Sequence, residues 1–194
     1  MKRRLFLAAL LSAGLAGCAP SGPTFHSVDI TGADYGKGFA LTDHTGAART
    51  LADYKGKAVT LFFGFTHCPD VCPTSLATMK QALALLGPDA ARVQVLFVTL
   101  DPERDSTELL AAYVPKFDAS LVGLRGDAAA TAAVAKEYKI FYQKVPGSTP
   151  DSYTLDHSAG TYVHDTQGRL RLFIRHGETP QKIADDLKVL LAQG

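Results

Sequence analysis

Ala58-Val59-Thr60-Leu61-Phe62-Phe63-Gly64-Phe65 is a continuous apolar and aromatic run, and it leads directly into Thr66-His67-Cys68-Pro69-Asp70-Val71-Cys72-Pro73. A run of this length and composition suits a central strand buried on both faces. Leu76, Met79, Leu83 and Leu86 then recur at helical spacing until Gly87-Pro88 ends the pattern. Cys68 and Cys72 therefore sit in the turn between a buried strand and the helix that follows it.

Outward from this centre the element types alternate. Val93 to Leu100 reads as a second buried strand, Ser106 to Phe117 as a helix and Leu121 to Leu124 as a short strand. Asp127 to Tyr138 reads as an Ala-rich helix capped by Asp127. Such alternation predicts an α/β class with parallel strands joined by crossover helices. Phe39 to Thr42 entering the turn Asp43 to Gly46 adds a strand or hairpin extension on the N-terminal side. Thr161 to His164 and Leu170 to Ile174, around Asp165-Thr166-Gln167-Gly168, predict an antiparallel hairpin, and Thr179-Pro180 opens a last helix with Ile183, Leu187, Leu190 and Leu191 as its apolar face. Between these parts lies a polar, Gly- and Pro-containing stretch, Pro146 to Ser158, of which Pro146 to Leu155 reads as mobile.

A chain of 194 residues with 46% hydrophobic and 20% charged content can bury one core, which predicts one domain. Its net charge of +1 leaves no basic stripe to argue for nucleic acid. No apolar face is left without an assigned role, so a monomer is expected.

The first residues carry an address. Lys2, Arg3 and Arg4 precede an apolar run, Leu5 to Leu15, too short to span a bilayer as a typical helix. It ends in Leu15-Ala16-Gly17-Cys18, small residues before a cysteine, which resembles the lipobox of bacterial lipoproteins. The expected division is a signal peptide over 1–17, a lipidated tether over 18–37 starting at Cys18, and a folded domain over 38–194. The domain would then work on the extracytoplasmic face of the inner membrane, in the bacterial cell envelope, where disulfides persist.

With Cys18 assigned to lipid, Cys68 and Cys72 remain. At i and i+4 in helical geometry their side chains are neighbours, close enough for a disulfide or for two ligands on one metal. A helix N-terminus at Cys72 would favour thiolate there. A structural disulfide closing so short a loop would constrain little of the unfolded chain. Closed structural zinc sites want four protein ligands, and no second cysteine pair exists. Two soft thiolates favour Cu(I), and one imidazole would complete a three-coordinate site able to hold Cu(II) with added oxygen ligands. Of the histidines, His67 adjoins Cys68 and could tune it, while His26, His44, His164 and His176 read as solvated surface groups. Asp70 reads as solvated too, and Asp101 with Arg104 as organisers of a loop beside the cysteines.

The stretch Phe65 to Pro73 resembles the SCO/SenC family, thioredoxin-like copper proteins required for assembling the dinuclear copper centre of cytochrome c oxidase. Two further segments carry the resemblance: Val98-Thr99-Leu100-Asp101-Pro102-Glu103-Arg104-Asp105-Ser106 and Asp156-His157-Ser158-Ala159-Gly160-Thr161-Tyr162-Val163-His164-Asp165. The resemblance implies a thioredoxin-like fold, a central mixed sheet flanked by helices. It implies copper ligands at Cys68, Cys72 and His157, with one copper per chain as Cu(I) or Cu(II). The same two cysteines would be a redox-active pair whose disulfide cannot bind the metal. The implied partners are the copper-centre subunit of the oxidase, another exported copper carrier or a thioredoxin-like reductant, and the membrane through the lipid anchor. A competing expectation is a thiol:disulfide oxidoreductase that keeps the oxidase thiols, or those of another exported protein, reduced. His157 separates the two, being superfluous for disulfide exchange.

Overall fold

A computed structural model describes residues 22–149 and 152–194. The expected signal peptide and Cys18 lie outside the described residues. In chain order the elements are β1 (Val28–Asp29), β2 (Ala40–Asp43), β3 (Ala48–Thr50), β4 (Ala58–Gly64), α1 (Val71–Leu86), β5 (Val93–Thr99), α2 (Thr107–Tyr113), β6 (Val122–Arg125), α3 (Ala128–Glu137), β7 (Tyr142–Pro146), β8 (Tyr153–His157), β9 (Thr161–His164), β10 (Leu170–Ile174) and α4 (Pro180–Leu191).

The apolar run at Ala58 becomes β4, buried at every position, as is β5 beside it. They belong to an eight-stranded mixed sheet of order β1-β10-β9-β4-β5-β6-β2-β3. β4, β5 and β6 run parallel, while β9 is antiparallel to β4. The parallel strands therefore end at one edge, where Thr66–Asp70 follows β4 and Leu100–Ser106 follows β5. Because Phe62 near the end of β4 pairs with Thr161 at the start of β9, the residues just before β9 arrive at that same edge. Ligand sites in open α/β sheets favour the carboxyl ends of parallel strands.

Local chemistry accounts for the helix boundaries. Ser106 and Asp127 accept the Leu109 and Ala130 amides at 3.2 and 2.7 Å, capping α2 and α3. Thr179 caps α4 with Pro180 in its first turn, and Ile183, Leu187, Leu190 and Leu191 are buried as their spacing predicts. Truncating a fully buried leucine such as Leu187 to alanine would cost about 2–5 kcal/mol. The helix expected to reach Phe117 stops at Tyr113 and passes into a 3-10 turn over Val114–Lys116. Pro115 explains the break, since it lacks the N–H that would extend the α-helical ladder.

Two further differences from the sequence expectation matter. Residues 25–37 are docked rather than free: Phe25, Ile30, Ala33 and Tyr35 pack on the core, and β1 pairs with β10. The amides of His26 and Ser27 both donate to the Asp186 carboxylate at 2.8 Å. The polar stretch from Pro146 to Ser158, in which no strand is expected, contains β8, which forms a hairpin with β7, the two pairing only with each other. In β8, Tyr153, Leu155 and His157 turn inward while Thr154 and Asp156 are exposed, an alternation only five residues long at the end of a polar Gly- and Pro-containing stretch and therefore a weak strand signal.

Candidate metal centre

Cys68, Cys72 and His157 meet at the carboxyl edge of the sheet, with Sγ, Sγ and a ring nitrogen all within 4.8 Å of one another. Each arrives by a different route. Cys68 is half-buried in the turn after β4, Cys72 is wholly buried in the first turn of α1, and His157 ends β8. Both cysteines are free thiols.

Gly64 makes room for the buried sulfur. A Cβ added there would lie 2.6 Å from Cys72 Sγ and 3.0 Å from the rings of Phe62 and Phe97. A glycine inside an otherwise bulky strand thus marks a close approach.

The start of α1 differs from the sequence expectation. Asp70 gives no side-chain cap to the helix backbone and instead accepts the Thr74 hydroxyl at 3.2 Å. The Cys72 amide turns to Cys68 Sγ, 3.4 Å away, so the helix N-terminus aims a donor at Cys68. Cys72 was expected to gain from that position as a thiolate; burial instead pushes its thiol well above the ordinary range, opposed only in part by a hydrogen bond from the Phe65 backbone.

His157 is oriented by its neighbours. Its Nδ1 lies 2.9 Å from the Ser158 carbonyl, which can only accept, so Nδ1 carries the proton and Nε2 presents its lone pair. Nε2 faces Cys72 Sγ at 3.6 Å. Phe62 and Phe65 meet the imidazole edge-on, with centroids 6.4 and 5.9 Å away. Burial lowers the His157 pKa below its usual value, against the Ser158 carbonyl and Asp156, and so keeps the ring in its neutral, ligating form. The arrangement offers two soft sulfurs and one borderline nitrogen, a donor set suited to copper, and among the described residues the cluster holds no fourth ligand of the kind a structural zinc site uses.

The other histidines stand apart. His67 is exposed and turns to Thr66 Oγ1 at 3.1 Å and Asp105 Oδ1 at 3.7 Å. His26 and His176 are exposed, the latter 3.1 Å from Ser75 Oγ, and His44 Nδ1 accepts the Gly123 amide. His164, read as solvated, is wholly buried because β9 lies between β10 and β4 inside the sheet. Its Nε2 contacts the Gly36 carbonyl at 2.9 Å and the Tyr138 hydroxyl at 3.3 Å, while Nδ1 is buried without a partner among the described residues.

The loop after β5 frames the site. Asp105, fully buried, accepts the Thr66 amide at 3.0 Å and the hydroxyls of Thr66 and Thr99 at 2.6 and 2.5 Å, fixing the start of the cysteine turn to β5. Asp101 pairs with Arg104, as expected of a loop organiser, and Tyr153 joins them. Sequence reading passed over Gly64, Asp105 and Tyr153. Only Gly64 carried a usable signal, as a glycine interrupting a strand of bulky residues.

The geometry has counterparts among known proteins. Residues 28–192 match the SCO1/SenC family. The mitochondrial SCO2 homolog of Bos taurus is 35% identical over 199 residues, covering 97% of this chain and 75% of the relative. The chain spans 54% to 75% of the length of the four vertebrate SCO2 relatives compared. Bradyrhizobium japonicum ScoI, solved with copper bound, is 43% identical with a TM-score of 0.73, covering 79% of this chain and 97% of that one. A SCO1/SenC family lipoprotein from Bacillus anthracis is 25% identical with a TM-score of 0.68, over 79% of this chain and 92% of that one. The three sequence segments, the mixed sheet and these matches along nearly the whole described chain agree: the protein belongs to the SCO1/SenC family.

Proposed function

We propose that this chain is a copper metallochaperone that holds one copper ion on Cys68, Cys72 and His157 and delivers it to the dinuclear copper centre of cytochrome c oxidase during assembly. The observation that carries this reading is the convergence of two thiols and an imidazole nitrogen within 4.8 Å, from three separate parts of the fold. Copper-bound ScoI, at 43% identity, supports the metal. Uptake displaces the thiol protons, so the reduced pair is the form that loads and a Cys68–Cys72 disulfide is the form that does not.

Cys68, half-exposed and beside the Cys72 amide, is the sulfur an acceptor's ligand reaches first, and buried Cys72 lets go last. That order suits stepwise hand-over to the copper-centre subunit. The same exposure keeps thiol:disulfide exchange, with the oxidase subunit or a thioredoxin-like reductant, as the second reading. Burial of Cys72 shields it from an incoming disulfide, which favours copper carriage over fast exchange.

Cys18 is proposed as the lipid anchor, placing the domain at the envelope membrane, and the B. anthracis lipoprotein supports this. No helix among the described residues is long and apolar enough to cross a membrane. Copper titration of the reduced chain tests the function: about one tightly held copper per chain is expected, lost in Cys68→Ser and Cys72→Ser and weakened in His157→Ala. Copper binding indifferent to all three changes, alongside rapid thiol exchange, would replace the chaperone with the oxidoreductase.

A further inference from the structure

β8 delivers His157, yet it pairs with no strand of the main sheet. At its foot, Ser158 and Phe141 exchange backbone and side-chain hydrogen bonds of 3.0 and 3.1 Å, and Leu155 is its buried apolar residue. Besides the exposed Lys144–Glu103 ion pair at 2.6 Å, the remaining fixings gather on Tyr153, at the start of the same strand. Tyr153 Oη donates to Asp101 Oδ1 at 2.7 Å, and its carbonyl accepts from Arg104 Nη1 at 2.8 Å. The Arg104 guanidinium lies 3.6 Å from the Tyr153 ring centroid and is closed underneath by its pairing with Asp101. That guanidinium also sits 5.9 Å from the Phe65 ring, whose other neighbour is the His157 imidazole.

We propose that Asp101, Arg104 and Tyr153 form a reversible latch, three positioning residues that hold the β7–β8 hairpin down so that His157 stays facing Cys72. Two features make it a latch rather than a lock. Its charged hydrogen bonds join a loop to a two-stranded hairpin instead of tying two core strands together. Arg104 Nη2 is buried with no partner among the described residues, a cost that is relieved when the hairpin lifts and water reaches it. Opening therefore trades the three Tyr153 contacts and an exposed ion pair for hydration of a charged group, and His157 leaves with the strand. Copper hand-over follows the same motion: with the latch open, the metal is left on two sulfurs and accessible to an acceptor.

This inference rests on the copper reading for its consequence, though not for the latch itself. The test uses the full reduced chain, its Tyr153→Phe and Arg104→Gln variants, and the same changes in a His157→Ala background. Cu(I) release to a competing chelator is expected to accelerate about tenfold in each single variant at unchanged stoichiometry, the size of one hydrogen bond to a charged group. The acceleration is expected to vanish once His157 is alanine, because the latch acts only through that ligand. Equal acceleration in both backgrounds, or none, overturns the proposal. Hydrogen exchange on the metal-free chain separates this from the function: the latch variants should deprotect the amides of 142–145 and 153–157 and leave those of 58–64 unchanged. Unchanged exchange in the hairpin defeats the latch, whereas failure of the unaltered chain to bind copper defeats the chaperone reading alone.

Discussion

Cys72 and His157 face each other across 3.6 Å, yet the regions that carry them are built in opposite ways. Cys72 sits on the β4–α1 junction, beneath a strand buried at all its positions and against a glycine that exists to admit its sulfur. His157 rides on a hairpin outside the sheet, pinned by one buried leucine, a foot at Ser158 and a loop latch. A metal held between them would be gripped by the core on one side and by a detachable arm on the other. Such asymmetry favours a carrier, since a site built wholly into the core would hold its metal but not surrender it.

The largest way to break that contrast is at the rigid side. Gly64→Ala forces a Cβ against Cys72 Sγ and two phenylalanine rings, an overpacking expected to cost about 1–3 kcal/mol. Thermal unfolding should show Tm lower by on the order of 5 °C, and copper binding should fall with it. An unchanged Tm would mean that the junction is as yielding as the arm.

A smaller effect is expected from His164, buried where the docked segment near Gly36 meets β9. Burial lowers its pKa, opposed by the Gly36 carbonyl and Asp165, and the Tyr138 hydroxyl also faces the ring. The folded chain prefers the neutral ring, so this stability is complete above the unfolded pKa of about 6.5 and drains away as pH falls toward and through the lower folded value. Tm measured from pH 7 to pH 5 should therefore decline less steeply in His164→Gln. A parallel decline in both proteins would remove His164 from the acid response.

The smallest change belongs to the arm. Lys144 Nζ and Glu103 Oε2 lie 2.6 Å apart with both side chains about half-exposed, so Lys144→Ala should shift stability by no more than about 1 kcal/mol, and less at high salt. A larger loss would show the hairpin to be part of the folding core.

The sequence was legible where burial imposes a pattern. Continuous apolar runs announced β4 and β5, helical spacing announced α1 and α4, and Asp127 and Thr179 marked the caps they form. Cys68, Cys72 and His157 were named from motifs, and the topology that joins them follows from β9 running back along β4. What stayed hidden was whatever lacked such a pattern. The β7–β8 hairpin turns only Tyr153, Leu155 and His157 of β8 inward, an alternation too short to stand out in a polar stretch. His164 sits in a strand whose both faces are covered, a fact that depends on neighbours far away in the chain. Residues 25–37 look like a tether by composition because their docking relies on backbone amides and a distant aspartate, Asp186, rather than on periodic side chains. Tyr153 and Asp105 work through contacts that only the folded chain supplies.

The central claim, that one copper is shared between the core thiols and the arm's imidazole, is tested most directly by X-ray absorption spectroscopy of the Cu(I)-loaded chain beside its His157→Ala variant. A first shell of two sulfurs and one nitrogen is expected, with the nitrogen lost and both sulfurs kept in the variant. The same shell in both proteins, or a shell without nitrogen in the unaltered chain, would contradict the account.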